Sequence, residues 1–323
     1  MPDPRQVITI ISPCYNEQDV VEPFYQALKS VLKNECGDYD HWILFVDDGS
    51  TDATLARLNA ISDRGERVRV YSLSRNFGHQ VALSAGLDAA DGDAVILMDS
   101  DLQHPPQLLP ELLRKWRDGF QVVSAVRQHT EGATWLKRAT SDGFYTLFNW
   151  LSDVPLTPGV ADFTLLSRDA YEALRQMPER HRFLRGMISW MGFRRAFVSY
   201  TAAVRHAGQS KYTFRRMMTL ASDALCSFTA RPIRLATKLG LITAALGAIY
   251  LAYILIHALI LQDVIQGWSS LACLIIILGG MQLFFIGLIG EYLARVFDEV
   301  KARPKYILKQ RPGGTTDHAS DRR

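Results

Sequence analysis

The chain has 323 residues, of which 48% are hydrophobic and 21% charged, and its formal net charge at pH 7 is +3. This length allows two domains, and so small a net charge is not typical of nucleic-acid-binding proteins, so we expect no nucleic-acid partner. Composition is uneven along the chain, because residues 1–230 have the mixed polarity of a soluble α/β protein and two long apolar runs follow them.

Five short apolar runs in the first half predict buried β-strands. Their residues are nearly continuously apolar, which is typical of strands covered on both faces. Apolar residues at helical spacing lie between them, around residues 20–32 and 108–116. This alternation predicts an α/β fold with a doubly wound, mainly parallel sheet. The predicted strands are Val7–Ile11, Trp42–Val46, Val68–Leu73, Ala94–Met98 and Val122–Val126.

Polar residues follow three of these runs directly, at positions 12–17, 47–50 and 99–103. Ligands of doubly wound sheets bind beyond the carboxyl ends of the strands, so we expect these segments to meet at one edge of the sheet. The sequence contains neither a G-x-x-x-x-G-K-[ST] nor a G-x-G-x-x-G phosphate-binding motif. Carboxylates together with a metal ion are therefore the predicted means of binding phosphate.

The Asp99-Ser100-Asp101 triplet predicts the metal site. On a segment that stays extended, residues two apart share a face, so Asp99, Asp101 and Gln103 would direct oxygen atoms at one point. Oxygen ligands suit Mg²⁺ or Mn²⁺, which keep positions open for substrate phosphates. A solvated acidic loop is the alternative interpretation.

Two apolar runs in the second half, Leu239–Leu261 and Trp268–Ile289, contain no Lys, Arg, Asp or Glu and are long enough to cross a membrane. Buried core helices are the alternative. Basic residues flank both runs, whereas residues 262–267 between them carry no positive charge. We therefore expect a multi-pass inner-membrane protein with its catalytic domain and both termini in the cytoplasm. Residues 1–6 lack an apolar segment, so we expect no cleavable signal peptide.

Two segments before these runs, residues 183–193 and 214–228, combine large apolar side chains with arginines. This pattern predicts helices in the lipid headgroup layer, and a helix packed on the sheet is the alternative. Glycines at 279, 280, 287 and 290 would allow close helix packing, which favours a packed hairpin or a homo-oligomer contact; a position facing the lipid is the alternative. The predicted organisation is a catalytic domain (1–180), juxtamembrane helices with an active-site loop (181–232), a two-helix transmembrane hairpin (233–293) and a cytoplasmic tail (294–323).

Four motifs together carry a family resemblance. In their order and spacing they resemble glycosyltransferase family 2, the inverting GT-A transferases that use nucleotide sugars. Within that family the chain is similar to the polyprenyl-phosphate glycosyltransferases, the group of bactoprenol glucosyl transferases and dolichyl-phosphate mannose synthase. The motifs are Pro13-Cys14-Tyr15-Asn16-Glu17, Val46-Asp47-Asp48-Gly49-Ser50, Arg75-Asn76-Phe77-Gly78 and Asp99-Ser100-Asp101-Leu102-Gln103.

The resemblance implies inverting transfer of a hexose, expected to be glucose from UDP-glucose, to undecaprenyl phosphate, with Mg²⁺ or Mn²⁺ as cofactor. Asp162 matches an acidic position beside the reaction centre, where it would orient the sugar or accept a proton; a helix cap is the alternative. Mannose, amino-arabinose or N-acetylglucosamine as the sugar, a processive polysaccharide synthase and a non-enzymatic nucleotide-sugar sensor remain alternatives. The nucleotide-sugar contacts are expected at Pro13, Tyr15, Glu17, Asp48 and Ser100.

Residues 205–212 are similar to the family's R-x-x-G-x-S-K-[YF] loop, which implies that Arg205 and Lys211 contact the donor pyrophosphate. A segment that binds anionic lipid is the alternative. By the same resemblance, Arg127 and Arg138 are the expected ligands of the lipid phosphate, with ordinary solvated charges as the alternative. Because the acceptor oxygen is already anionic, the protein needs to align the substrates and stabilise the leaving group rather than supply a strong base.

Overall fold

The computed structural model describes residues 5–64, 67–127, 157, 159–180, 182–201, 231–256 and 267–310. At its centre is an eight-stranded sheet with the order β7-β5-β6-β4-β1-β2-β3-β8. The strands are β1 (Val7–Cys14), β2 (Asp40–Asp47), β3 (Val68–Leu73), β4 (Ala94–Leu97), β5 (Val122–Arg127), β6 (Val160–Ser167), β7 (Arg195–Tyr200) and β8 (Leu308–Gln310).

Helices cover both faces of this sheet. The chain-order helices are α1 (Val21–Glu35), α2 (Thr54–Ser62), α3 (His79–Ala89), α4 (Leu109–Arg117), α5 (Arg168–Gln176), α6 (Leu184–Trp190), α7 (Arg231–Ile256) and α8 (Trp268–Val300). Buried side chains of α1, α2 and α4 form one hydrophobic core with the sheet. Those of α3, α5 and α6 form a second core. The doubly wound arrangement is therefore confirmed.

The sheet is mixed and mostly parallel. The pairs β1–β2, β1–β4, β2–β3 and β5–β7 are parallel, whereas β4–β6, β5–β6 and β3–β8 are antiparallel. All five predicted strands are confirmed as β1 to β5. The prediction omitted β6, β7 and β8. The strand β7 lies at the edge of the sheet, and its alternating burial gives no continuous apolar run.

The prediction of a headgroup helix at residues 183–193 is wrong. Within this segment α6 buries Leu184, Met187 and Ile188 in the second core. The following strand, β7, pairs with β5 inside the sheet. The segment therefore packs on the sheet, which was the alternative interpretation, and the sheet extends beyond the catalytic-domain boundary predicted at residue 180. The segment 214–228 lies outside the described residues, and the other domain boundaries stay predictions.

The helices α7 and α8 fall on the two predicted apolar runs. Within the described part of the chain, one helical stretch, Ile277–Val300, is long and apolar enough to cross a membrane. Large apolar side chains on α8 are exposed, including Leu283 at 72% and Phe284 at 67%. A pair of transmembrane helices stays a prediction.

Candidate functional site

A cavity of about 490 Å³ opens beyond the carboxyl ends of β1, β2 and β4. The three polar segments that follow these strands thus meet at one edge of the sheet, as their positions predicted. Every residue expected to contact the nucleotide sugar from this part of the chain lines the cavity, although the contacts themselves stay predictions. The lining residues are Pro13, Cys14, Tyr15, Glu17, Asp48, Asn76, Gly78, His79, Asp99, Ser100 and Asp101.

Hydrogen bonds fix the loops around the cavity to one another. The Asn16 side-chain oxygen accepts a hydrogen bond from Thr51 N at 2.9 Å, which ties the loop after β1 to the loop after β2. The Ser100 hydroxyl donates to the carbonyl oxygen of Pro13 at 3.1 Å, which ties the loop after β4 to β1. Loops that are joined in this way form a preorganised wall for a ligand.

The Asp48 carboxylate binds the segment that leads into α3. Its two oxygens accept hydrogen bonds from Phe77 N at 2.7 Å and Gly78 N at 2.9 Å. Burial raises the pKa of Asp48, and these two backbone N–H groups partly offset the rise. The neighbouring Gly49 has a φ of 67°, and a Cβ atom there would lie 2.3 Å from the backbone carbon of Arg75. The loop after β2 therefore requires glycine at its contact with this segment.

Two histidines flank the Asp99 carboxylate. His79 Nε2 lies 3.4 Å from Asp99 Oδ1, and His104 Nδ1 lies 3.6 Å from Asp99 Oδ2. His104 also accepts a hydrogen bond from Asp99 N at 3.1 Å and stacks on Phe163 with ring centroids 5.3 Å apart. Burial raises the pKa of Asp99, and the two histidines oppose that rise.

The expectation of an extended run from Asp99 to Gln103 is wrong. Leu102 has a φ of 60°, which turns the backbone after Asp101. Gln103 N then donates a hydrogen bond to Asp101 Oδ1 at 3.0 Å. Gln103 is not among the residues that line the cavity, so the geometric reason for choosing it as a third metal ligand fails, and its ligand role stays a prediction.

Asp99 and Asp101 fit a divalent cation that shares its coordination with a phosphate. Asp99 Oδ1 is buried and accepts no hydrogen bond from a described residue. Within the described ranges, no group of three or more His, Cys, Asp or Glu side chains is arranged to hold a metal ion. Mg²⁺ commonly takes one or two protein carboxylates together with substrate phosphates and water. The chemistry of the pair therefore suits an open site rather than a closed protein cage.

Asp162 lies on β6, beside His79 and next to the cavity. Arg185 on α6 donates two hydrogen bonds to its carboxylate, at 2.6 and 3.0 Å. His79 Nε2 lies 3.3 Å and Gln80 Nε2 3.4 Å from Asp162 Oδ2. Burial alone would raise the pKa of Asp162, but the charge of Arg185 and the hydrogen bonds from His79 and Arg185 hold it well below its usual range. The helix-cap interpretation is wrong, since Asp162 lies within a strand.

Sequence reasoning missed His79, Gln80, Arg185 and His104 as parts of this site. His79 directly follows the Arg75–Gly78 motif, so its position beside a family motif was the available signal. Arg185 lies in the segment 183–193, for which the sequence predicts a helix in the headgroup layer because the surrounding residues are large and apolar. The contact of Arg185 with Asp162 depends on how α6 packs on the sheet, and the sequence around Arg185 does not predict that packing.

Of the four predicted basic ligands, the structure describes Arg127 alone, and it does not bring this residue to the cavity. Arg127 ends β5, is exposed, and is not among the cavity-lining residues. Arg138, Arg205 and Lys211 lie outside the described residues, so their roles stay predictions.

Comparison with known proteins assigns the chain to a family. The model of glycosyl transferase family 2 matches residues 9–175. The chain belongs to glycosyltransferase family 2. A second family model, described as the GtrB C-terminal hairpin, matches residues 231–296 of the same chain. The α/β architecture with a mixed, mostly parallel sheet is the GT-A-like fold that the resemblance implied.

Relatives match this glycosyltransferase along nearly its whole length. An uncharacterized glycosyltransferase of Bacillus subtilis, YkcC, is 37% identical over 305 residues, which cover 94% of each chain. The uncharacterized glycosyltransferase sll0501 of Synechocystis is 39% identical over 301 residues, which cover 93% of this chain and 94% of that one. A prophage bactoprenol glucosyl transferase homolog of Escherichia coli is 39% identical over 303 residues, which cover 94% and 98%.

Proposed function

We propose that this glycosyltransferase transfers glucose from UDP-glucose to undecaprenyl phosphate, with inversion at the anomeric carbon. The observation that carries the proposal is the cavity at which the polar ends of β1, β2 and β4 converge. Relatives named bactoprenol glucosyl transferase, from Shigella phages SfII and SfV, are 39% identical to this chain over 94% of its length. The names of these relatives support glucose as the transferred sugar and a polyprenyl phosphate as the acceptor.

Charge supports a metal-bound nucleotide diphosphate as the donor. Glu17, Asp48, Asp99 and Asp101 give the cavity an acidic lining, to which His79 adds the one basic side chain among the lining residues. A diphosphate would be repelled by these carboxylates unless a cation stood between them. Mg²⁺ or Mn²⁺ held by Asp99 and Asp101 would neutralise negative charge on the leaving nucleotide diphosphate.

Asp162 would orient the transferred sugar rather than act as a base. Its low pKa keeps the carboxylate ionised at neutral pH, which makes it a weak proton acceptor. The acceptor phosphate is already anionic and requires no deprotonation. Arg185 and His79 hold the carboxylate from two sides, so it could present a fixed hydrogen-bond acceptor to a sugar hydroxyl.

Four further basic residues complete the proposal. Arg205 and Lys211 would contact the donor pyrophosphate, and Arg127 and Arg138 the lipid phosphate. The apolar stretch Ile277–Val300 and the match to the GtrB C-terminal hairpin support a membrane anchor that brings the catalytic domain to its lipid substrate. We infer two spanning helices, cytoplasmic termini and, from the glycines of α8, close helix packing between copies of the chain.

Three alternatives differ in what they predict. Another nucleotide sugar would use the same cavity and give a different lipid-linked sugar; because glucose and mannose have the same mass, each donor must be offered separately. A processive polysaccharide synthase would add several sugars, but the sequence lacks the Q-x-x-R-W acceptor motif of that group. A nucleotide-sugar sensor would bind the donor without turnover.

The test is to offer purified full-length protein undecaprenyl phosphate and a panel of nucleotide sugars, and to analyse the lipid by mass spectrometry. We expect one added hexose with UDP-glucose and much less product with GDP-mannose, UDP-N-acetylglucosamine or a UDP-amino-arabinose donor. A ladder of additions would favour the synthase. Donor binding without any lipid product would favour the sensor.

A further inference from the structure

The chain returns to the sheet after α8 and closes one of its edges. Residues 308–310 form β8, which pairs antiparallel with β3, so that Leu308 lies opposite Leu73. Beyond the paired residues, Ser74 N donates a hydrogen bond to the carbonyl oxygen of Ile307 at 2.9 Å. The pairing therefore covers an edge of β3 that would otherwise be open and continues into the segment that follows β3.

That segment, residues 74–78, forms one wall of the cavity. Asn76 and Gly78 line the cavity, and the N–H groups of Phe77 and Gly78 bind the Asp48 carboxylate. The segment leads directly into His79, the first residue of α3. Asp48 holds the segment at its far end, and the bond from Ser74 to Ile307 holds it at its near end.

A second set of contacts reaches the chain that precedes α6. Lys305 Nζ donates to the carbonyl oxygen of Met177 at 3.2 Å. Glu299, in the last turn of α8, accepts a hydrogen bond from Arg180 N at 2.8 Å. Met177 and Arg180 precede α6 in the chain, and α6 carries Arg185, which binds Asp162. The end of α8 and the residues after it thus contact both segments that lead into the site.

Side-chain packing supports the same attachment. The Tyr306 hydroxyl donates to Asp88 Oδ2 on α3 at 3.2 Å. Tyr306 and Leu308 also pack against the second core, whereas the side chain of Ile307 between them is 57% exposed. Alternate residues therefore face the sheet domain and the solvent, as in an edge strand with one buried face.

We propose that residues 299–310 act as a brace, which positions the cavity wall 74–78 and the segment before α6 and so makes donor binding depend on the end of α8. Leu308 and Tyr306 are positioning residues, since neither lines the cavity. The proposal rests on the proposed function only for the identity of the donor nucleotide.

The test compares Leu308→Asp with Ile307→Asp in the full-length protein, because the two variants place the same charge on opposite faces of one segment. We expect Leu308→Asp to speed amide hydrogen exchange in residues 74–78 by about tenfold, because the bond from Ser74 would open more often. The Kd for UDP in the presence of Mn²⁺ should rise by about tenfold, because the wall loses its fixed position. Ile307→Asp should change either quantity by less than about twofold.

Equal exchange at residues 74–78 in the two variants, or equal UDP affinity, would overturn the proposal. If Leu308→Asp no longer unfolds cooperatively, Leu308→Ala against Ile307→Ala provides the same comparison with smaller expected effects. Both readouts are independent of turnover. A wild-type protein that transfers no glucose would contradict the proposed function, while exchange at residues 74–78 would still decide whether the brace exists.

Discussion

Asp162 is a buried charge whose behaviour depends on Arg185. The carboxylate is 10% exposed, and the Arg185 side chain that binds it is 39% exposed. A buried ion pair is strongly destabilised when one partner is removed, because the other charge is left without compensation. The partial exposure of Arg185 reduces that penalty, since water can replace part of the lost interaction.

We therefore expect Arg185→Leu to lower the free energy of unfolding at pH 7 by about 2 kcal/mol, less than for a fully buried pair. Arg185 lowers the pKa of Asp162, so its stabilisation is complete above the ordinary aspartate pKa and is lost as the pH falls through the lowered value. The difference between variant and wild type should therefore stay constant down to about pH 4, the ordinary aspartate pKa, and shrink at lower pH. Denaturant unfolding at several pH values measures it.

Arg64→Leu is the control, because Arg64 pairs with Glu22 at 2.8 Å on the surface. Exposed pairs of this kind contribute little to stability, so Arg64→Leu should change the free energy of unfolding much less than Arg185→Leu. A loss in Arg185→Leu that is no larger than in Arg64→Leu, or that is the same at pH 3 and pH 7, would contradict the role given to Arg185.

Lys211 separates the two interpretations of the basic loop at residues 205–212. If Lys211 contacts the donor pyrophosphate as charge develops on it, Lys211→Ala should lower turnover by about a hundredfold in neutral detergent while membrane association stays unchanged. Arg205→Ala should act likewise, whereas Arg216→Ala, from the segment expected in the headgroup layer, should have little effect. Equal, small losses in all three variants would assign the loop to lipid binding instead.

At the scale of elements, the turn after β2 is held against the segment after β3. Gly49→Ala would place a Cβ atom 2.3 Å from the backbone of Arg75, at a φ of 67°. We expect a loss of about 2–4 kcal/mol in the free energy of unfolding together with weaker UDP binding, because both strain and collision must be relieved. Chemical denaturation and calorimetry measure the two effects.

Gly192→Ala is the matched control, since Gly192 has a similar φ of 72° but no atom lies within 4 Å of its added Cβ. Gly192→Ala should lower the free energy of unfolding by about 1 kcal/mol, because only the positive φ is unfavourable for alanine, and it should leave UDP affinity unchanged. Equal losses from the two substitutions would show that the close approach to Arg75 has no energetic consequence.

The elements that the sequence predicted are those with continuous apolar patterns. Most residues of β1 to β5 are buried, so their apolar runs identify these strands, although β3 alternates buried with half-buried residues. The strand β7 alternates, and β8 is only three residues long, so neither carries a comparable signal. The prediction of an extended segment at the metal site is wrong for a different reason. The positive φ of Leu102 turns the backbone there, and the pattern of apolar and polar side chains does not indicate such a turn.

The site residues also divide into those that the local sequence predicts and those that it does not. Asp48, Asp99 and Asp101 could be placed in one cavity because strand order brings their segments to one edge of the sheet. Arg185 and Asp162 are 23 residues apart, and Gln80 and Asp162 are 82 apart. Their meeting depends on how α3 and α6 pack on the sheet in the second core, and no short sequence motif predicts that packing.

At the scale of the whole molecule, the orientation in the membrane is the feature with the clearest test. If residues 262–267 form the only segment on the far side, Gln266→Cys in a background without the native cysteines should react with an impermeant thiol reagent from outside intact cells. Arg303→Cys should react only after the membrane is opened. The reverse pattern of labelling would contradict the orientation derived from the flanking basic residues.

The central claim is that Asp99 and Asp101 support metal-dependent transfer of glucose from UDP-glucose to undecaprenyl phosphate. The most direct measurement is the rate of lipid-linked glucose formation by wild type, Asp101→Asn and the control Asp91→Asn, whose aspartate side chain is 86% exposed. The account predicts a loss of about a hundredfold or more in Asp101→Asn and a similar loss in wild type with excess chelator, with Asp91→Asn near normal. Near-normal transfer by Asp101→Asn, or in the presence of excess chelator, would contradict it.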